Sequence, residues 1–261
     1  MRSALSIRME FLLAALALSA AATASAAEWG SLKGKFIVTG APPKPAALAV
    51  VGDQFCIGQK PMDESIVVAE AGGGLSNAIV YLRLARRETV EIHPDYAARL
   101  SEPVVLDNKD CHFVPHVALL RTGQQLMVKN SDPVGHNTKL GQIFNEIIPA
   151  GESRPKSISA AAVTPIQVNC SIHPFMSAYV LVQDHPYMAT SGTDGAFEIK
   201  NIPAGKRVFT FWHEGPSFLR DLKVGSGTTD RRGTVEVTIK TGETLDLGEI
   251  KVPIAALKAA R

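Results

Sequence analysis

The chain has 261 residues, with 27 Lys and Arg against 25 Asp and Glu and a formal net charge of +2 at pH 7. So even a balance gives no reason to expect a nucleic-acid partner, which normally shows as a basic patch or a strongly positive domain. There are three cysteines, an odd number, so at least one is left over for something other than an internal disulfide.

The amino terminus carries Arg2 and Arg8, an apolar run from Phe11 to about Ala22, and then Ala24-Ser25-Ala26. A basic start, an apolar run and a small-residue site together read as a cleaved secretory signal peptide over residues 1–26. The run is too short to span a bilayer comfortably and no later run approaches that length, so no transmembrane segment is expected. The mature chain is then periplasmic or secreted. Cleavage removes two Arg and one Glu, which leaves it near +1. Roughly 235 residues remain, room for one large or two modest domains.

Residues 27–103 read as β-structure. Leu32 to Val38 alternates and stops at Gly40-Ala41-Pro42-Pro43; Ile66 to Val68 and Ala78 to Leu82 are further strands, separated by a turn at Gly72-Gly73-Gly74. The glycines lack the following Lys-Ser/Thr of a phosphate cradle. Val104 to Leu106 leads into Cys111-His112-Phe113-Val114-Pro115-His116. His112 and His116 are four apart and could form a second metal site, but Pro115 between them argues against a regular helix or a central strand. Their plainer reading is as surface or hydrogen-bonded residues beside a disulfide.

Gln125 to Asn130 is a strand, and the turn Ser131 to Gly135 delivers His136-Asn137. Pro165 to Asn169 is the strand that ends at Cys170, and Tyr179 to Val182 leaves the cluster Cys170-Ser171-Ile172-His173-Pro174-Phe175-Met176. That cluster holds a thiolate, an imidazole and a thioether, and His136 adds a second imidazole. Two His and one Cys with a weak axial Met are the ligand set of an electron-transfer copper centre. Structural zinc would instead recruit four strong ligands, usually Cys and His.

Cys170-x2-His173-x2-Met176, with an upstream His136-Asn137, resembles the ligand loop of the cupredoxins, the amicyanin-like members above all. The resemblance covers mainly residues 104–183. It implies a Greek-key β-sandwich holding one type 1 copper by His136, Cys170 and His173, with Met176 axial. It also implies a hydrogen bond from Asn137 to the loop carrying Cys170, and single electrons passing through a partly exposed His173 edge rimmed by Pro174 and Phe175. The partner would be another redox protein, a dehydrogenase or a cytochrome. With Cys170 a ligand, Cys56 and Cys111 are left to form a disulfide; the alternative pairs Cys170 and leaves one of the others free.

Beyond His185-Pro186 the run Asp194-Gly195-Ala196-Phe197, the turn Pro203-Ala204-Gly205 and the strand Val208 to Glu214 resemble a carboxypeptidase-regulatory-like β-sandwich over residues 184–254. Such modules support or bind. His213 and Glu214 are adjacent on a strand and so face opposite ways, which excludes a joint acid/base role. Pro253 to Arg261 reads as a frayed tail. The expectation is an all-β exported copper protein that carries electrons and is not an enzyme, with a copper carrier, sensor or envelope binding module as the alternative. Copper oxidases would need further His-rich sites, and the spare pair is His112 with His116.

Overall fold

A computed structural model of the chain describes residues 28–258. The expected signal peptide lies outside the described residues. Among those that are described, no helix is long and apolar enough to cross a membrane.

The protein is all-β and is built of two sandwiches. The first pairs two sheets from the middle of the chain. One has the order β5 (Val117–Arg121), β11 (Ser177–Gln183), β10 (Ile166–Asn169), β7 (His136–Leu140), β8 (Phe144–Ile148); the other has β4 (His112–Val114), β3 (Val104–Lys109), β6 (Gln125–Asn130), β9 (Ser153–Ser157). Alternate residues of both sheets, among them Leu106, Phe113, Leu126, Val128, Leu140, Val168 and Val180, close one core between them.

Residues 27–103 were expected to extend this sandwich or to stand alone, and their strands do neither. β1 (Trp29–Thr39) lies between β13 (Ala196–Pro203) and β19 (Thr244–Pro253), antiparallel to the first and parallel to the second. β2 (Ile79–Leu82) lies between β12 (Met188–Thr190) and β14 (Gly205–His213), and β14 also pairs β15 (Ser217–Phe218) and β18 (Thr234–Ile239). Both ends of the described chain therefore build the second sandwich, with the first inserted between them. The physical reason is strand pairing: without β1, neither β13 nor β19 would have a partner strand in this sheet. Its apolar alternation, Leu32, Phe36 and Val38, also fills the core formed with Val80, Phe209, Phe211 and Ile250.

The two sandwiches are joined through the outer faces of β2, β14, β5 and β11. Ile79, Tyr81, Val117, Leu181 and Trp212 pack there into a third apolar cluster. This explains why Ala78 to Leu82 is apolar without interruption: Val80 and Leu82 face the second core while Ile79 and Tyr81 face the joint. The turn at Gly72 to Gly74 matters for close approach, because a Cβ on Gly74 would sit 2.2 Å from the Asp194 carbonyl carbon. The tail is not frayed as far as it is described. α3 (Ile254–Leu257) buries Leu257 in the second core.

Candidate metal centre

The centre lies at one end of the first sandwich, where β7 and β10 run side by side. Their pairing, Val168 with Leu140 and Asn169 with Lys139, sets the start of β7 beside the loop that follows β10. His136 is the first residue of β7, Cys170 follows the last residue of β10, and the loop closes when Asn169 pairs with Ser177. Inside it the Met176 N–H donates to the His173 carbonyl at 2.9 Å.

His136 reaches its place by a chain of local hydrogen bonds. The Asn130 side chain donates to the carbonyls of Val134 and Ile148, each at 2.8 Å, and accepts from the Asp132 N–H at 3.0 Å. These bonds hold the turn before His136. Asp132 is buried and its carboxylate accepts from three donors: the Asp110 N–H at 2.6 Å, the Cys111 N–H at 2.9 Å and His136 Nε2 at 2.8 Å. The first two compensate a costly turn. Asp110 and Cys111 join β3 to β4 with positive φ of 53° and 58°, the left-handed conformation that a two-residue hairpin loop of type I′ requires.

The side chains singled out from the sequence converge here. His136 Nδ1 faces His173 Nδ1 at 3.0 Å, and the Cys170 sulfur stands 3.8 Å from His173 Nδ1. That sulfur also accepts from the backbone N–H groups of Asn137 and His173, each at 3.3 Å. The Asn137 side chain accepts from the Ser171 N–H at 3.0 Å and donates to Asn145 and to the Glu146 carbonyl. Met176 is buried in the same core cluster as Cys170. Cys56 and Cys111 form a disulfide, and Cys170 is free and buried.

The His173 edge, however, is not exposed. His173 is 3% exposed, and the start of α1 (Gln54–Gln59) stands against it. Asp53, the N-cap of that helix, places Oδ2 3.4 Å from His173 Nε2, and Cys56 of the same helix is tied by its disulfide to Cys111. The route through an open His173 edge is thereby closed. Asp53 is held below the usual carboxylate range, first by the Cys56 N–H and, against the opposing effect of burial, also by His173. Burial pushes His136 below its ordinary value, and Asp132 only partly offsets this.

The two carboxylates test whether these residues suit a metal. Each Nε2 faces a carboxylate, at 2.8 Å for His136 and 3.4 Å for His173, a placement that suits the tautomer with its proton on Nε2. Both Nδ1 atoms are then lone pairs facing each other at 3.0 Å, a repulsive arrangement unless a proton or a cation lies between them. Imidazoles oriented by carboxylates on the outer nitrogen are the usual support of metal-bound His. With a thiol sulfur alongside, the donor set fits a soft or borderline ion.

Asp53 and Asp132 were missed as functional residues. Asp132 stands four residues before His136, inside the turn read from the sequence, and Asp53 is the N-cap of a short helix in a stretch read as β-structure, so nothing local linked it to His173. Two compact donor groups, moreover, involve the disulfide sulfurs rather than Cys170: Cys56 with His136 and His173, and Cys111 with Asp132 and His136.

His112 and His116 do not form a donor pair of the same kind. His112 is on the surface and its ring meets the Asp110 carbonyl at 2.9 Å. His116 is buried, with Nε2 2.5 Å from Glu214 and Nδ1 3.5 Å from Glu64. Burial alone would depress His116; the two carboxylates outweigh it and raise its pKa to about 9. Glu214 lies in the turn between β14 and β15, so this one ring links three segments. Its neighbour His213 is buried too and is held at about 4, chiefly by burial and further by the charge of His116. Beside them opens a cleft of about 720 Å³, lined in part by Phe175, Met176 and Tyr179.

No protein-family model matches the chain, and no curated protein matches it. Among solved structures it is similar to amicyanin from Paracoccus versutus (Thiobacillus versutus), at 18% identity over 31% of this chain and 81% of that one, with a TM-score of 0.28. A purple cupredoxin from Nitrosopumilus maritimus is 19% identical over 31% and 97%, at 0.27. A copper-containing nitrite reductase from Thermus scotoductus SA-01 is 17% identical over 39% and 25%, at 0.27. At these identities and scores the likeness carries no argument about mechanism, which has to come from the site.

Proposed function

We propose that the protein is an exported type 1 copper protein that carries single electrons between redox proteins and is not itself an enzyme. The observation that carries this reading is the pair of Nδ1 atoms facing each other at 3.0 Å, each ring fixed from behind by a carboxylate, with the Cys170 sulfur beside them. His136, His173 and Cys170 would hold one copper, with Met176 in the weak axial place. An ion so held supplies reversible one-electron chemistry.

The remaining residues prepare that chemistry. The N–H groups of Asn137 and His173 donate to the Cys170 sulfur and fix its position beside the two rings. Asp132 and Asp53 fix the ring planes, so little rearrangement need accompany a change of charge. All four ligand side chains are buried, which keeps water away from them. With the His173 edge covered, the electron route we assign runs through Phe175, whose ring lies 5.8 Å from that of His173 and borders the cleft. A dehydrogenase or a cytochrome would dock on that side. The second sandwich, whose later strands carry the carboxypeptidase-regulatory-like pattern, supports one wall of the cleft through Glu214.

A second reading, a copper carrier or sensor without redox turnover, is favoured by one observation, the closure of the His173 edge by α1. Adding one equivalent of Cu(II) to the purified mature chain separates the possibilities. An intense thiolate-to-copper band with narrow hyperfine splitting, absent from Cys170→Ser and cycling repeatedly with ascorbate and oxidant, supports the electron carrier. A blue band that bleaches once and does not return supports the carrier or sensor. A pale spectrum indifferent to the substitution overturns both.

A further inference from the structure

The disulfide is not remote from the metal centre. The Cys56 sulfur and nitrogens of His136 and His173 lie within 4.8 Å of one another, as do the Cys111 sulfur, an Asp132 oxygen and a His136 nitrogen. Donors sharing one ion with bonds of about 2.0–2.3 Å stand about 3 to 4 Å apart, so each group is a small side-chain rotation from a common centre. A disulfide sulfur has no charge to offer, whereas a thiolate is a strong ligand for soft metals.

We propose that the Cys56–Cys111 disulfide is a reversible ligand store: opened by a dithiol, it delivers two thiolates to His136 and His173 and creates a thiolate-rich site for Cu(I). In the step, a dithiol thiolate attacks one sulfur of the bridge, and the second dithiol sulfur then closes on the first. The dithiol loses two electrons and two protons and becomes a cyclic disulfide, while the Cys56–Cys111 bond takes up two electrons and two protons. The protons leave again when the thiolates take the metal.

The fold makes the bridge able to open on one side. α1 buries Cys56 and none of its other residues. Its second hold on the body is the contact of Asp53 with His173. The chain on either side is tied by isolated bridges, such as Ala47 with Met62, rather than by strands. Cys111 is pinned instead, since its own N–H and that of Asp110 both go to Asp132. Reduction therefore leaves Cys111 fixed beside His136 and Cys56 on the side that can adjust toward His136 and His173, where Asp53 still holds the helix start.

The inference shares its two imidazoles with the copper reading above and rests on it to that extent. Cys170→Ser separates the two. The metal-free variant, either oxidised or treated with dithiothreitol and desalted without oxygen, is titrated with Cu(I) against a chromophoric Cu(I) chelator while circular dichroism follows the fold. The oxidised variant is expected to lose Cu(I) to the chelator. The reduced variant is expected to hold it about tenfold more tightly or better, because two thiolates have replaced a disulfide. Adding Cys56→Ser should return the reduced protein toward the oxidised result. Equal Cu(I) retention before and after reduction overturns the inference, as does a bridge that opens only when the circular dichroism signal is lost. Should the wild-type protein give no blue Cu(II) spectrum while the reduced variant still gains Cu(I), the electron-carrier reading fails and the ligand store stands.

Discussion

His136, His173 and His116 are all buried and all face carboxylates, yet they are prepared for different work. In the pair, one nitrogen of each ring faces an acid, Asp132 or Asp53, and the other faces the second ring. His116 has an acid at both nitrogens, Glu214 and Glu64. Two carboxylates outweigh burial and keep His116 an imidazolium to about pH 9, with no lone pair to give. One carboxylate does not outweigh burial at His136, which is pushed below its ordinary value and stays neutral with Nδ1 free. The number of acids per ring thus separates His136 from the ion-paired His116, and carboxylate count is a property of tertiary neighbours.

The substitution expected to act most strongly on this contrast is Cys56→Ser. The bridge closes a loop with a sequence separation of 55. Loss of such a link costs roughly 4 kcal/mol in the chain-entropy account. Denaturant titration should show that loss, and His173 should become reactive to a His-directed reagent while His116 stays protected. Next is Glu214→Gln, which leaves a buried imidazolium short of a partner at a cost of about 3 kcal/mol near neutral pH.

The same pair predicts a shape for stability against pH. Because the folded pKa of His116 lies above the ordinary 6.5, its contribution is fully present below 6.5 and is lost as pH rises through about 9. His185 and His213 are held at about 4 by burial, so their contribution is present above 6.5 and is lost as pH falls from there toward 4. Melting temperature should therefore be highest near pH 6.5 and fall on both sides, and Glu214→Gln should flatten the alkaline side alone. Smaller effects are expected behind the ligands. Asp132→Asn removes the charge that fixes His136 and should weaken Cu(II) binding about 10- to 100-fold in a competition titration. Asn137→Ala loses the hydrogen bond from Ser171 and should cost about 1 kcal/mol in denaturant unfolding.

What could be read from the sequence follows from the range of the forces involved. The run from Cys170 to Met176 is one hairpin loop between β10 and β11, so its donors are local and their chemistry is visible in seven letters. Alternation in Leu32 to Val38 and the unbroken apolar run Ala78 to Leu82 mark strands correctly. Neither says which edge the strand completes, and β1 completes the sheet formed by the far end of the chain. Asp132 was legible as a turn residue, whereas Asp53 and the short helix it caps were not read from a stretch taken as β-structure; the contacts of both with His136 and His173 depend on how α1 and the β3–β4 turn pack beside the centre. Leu257 looked like part of a loose tail because a single apolar residue gives no period; the core pocket that takes it is made by other strands.

The most direct test of the contrast is a two-bond ¹H–¹⁵N correlation spectrum of the histidine rings in the metal-free protein at pH 7, repeated after one equivalent of Cu(I). The account predicts Nε2–H rings for the His136–His173 pair, with Nδ1 resonances that move when Cu(I) is added, and a doubly protonated His116 that does not move. A neutral His116 that responds to Cu(I), or a His136–His173 pair that ignores it, would contradict the account.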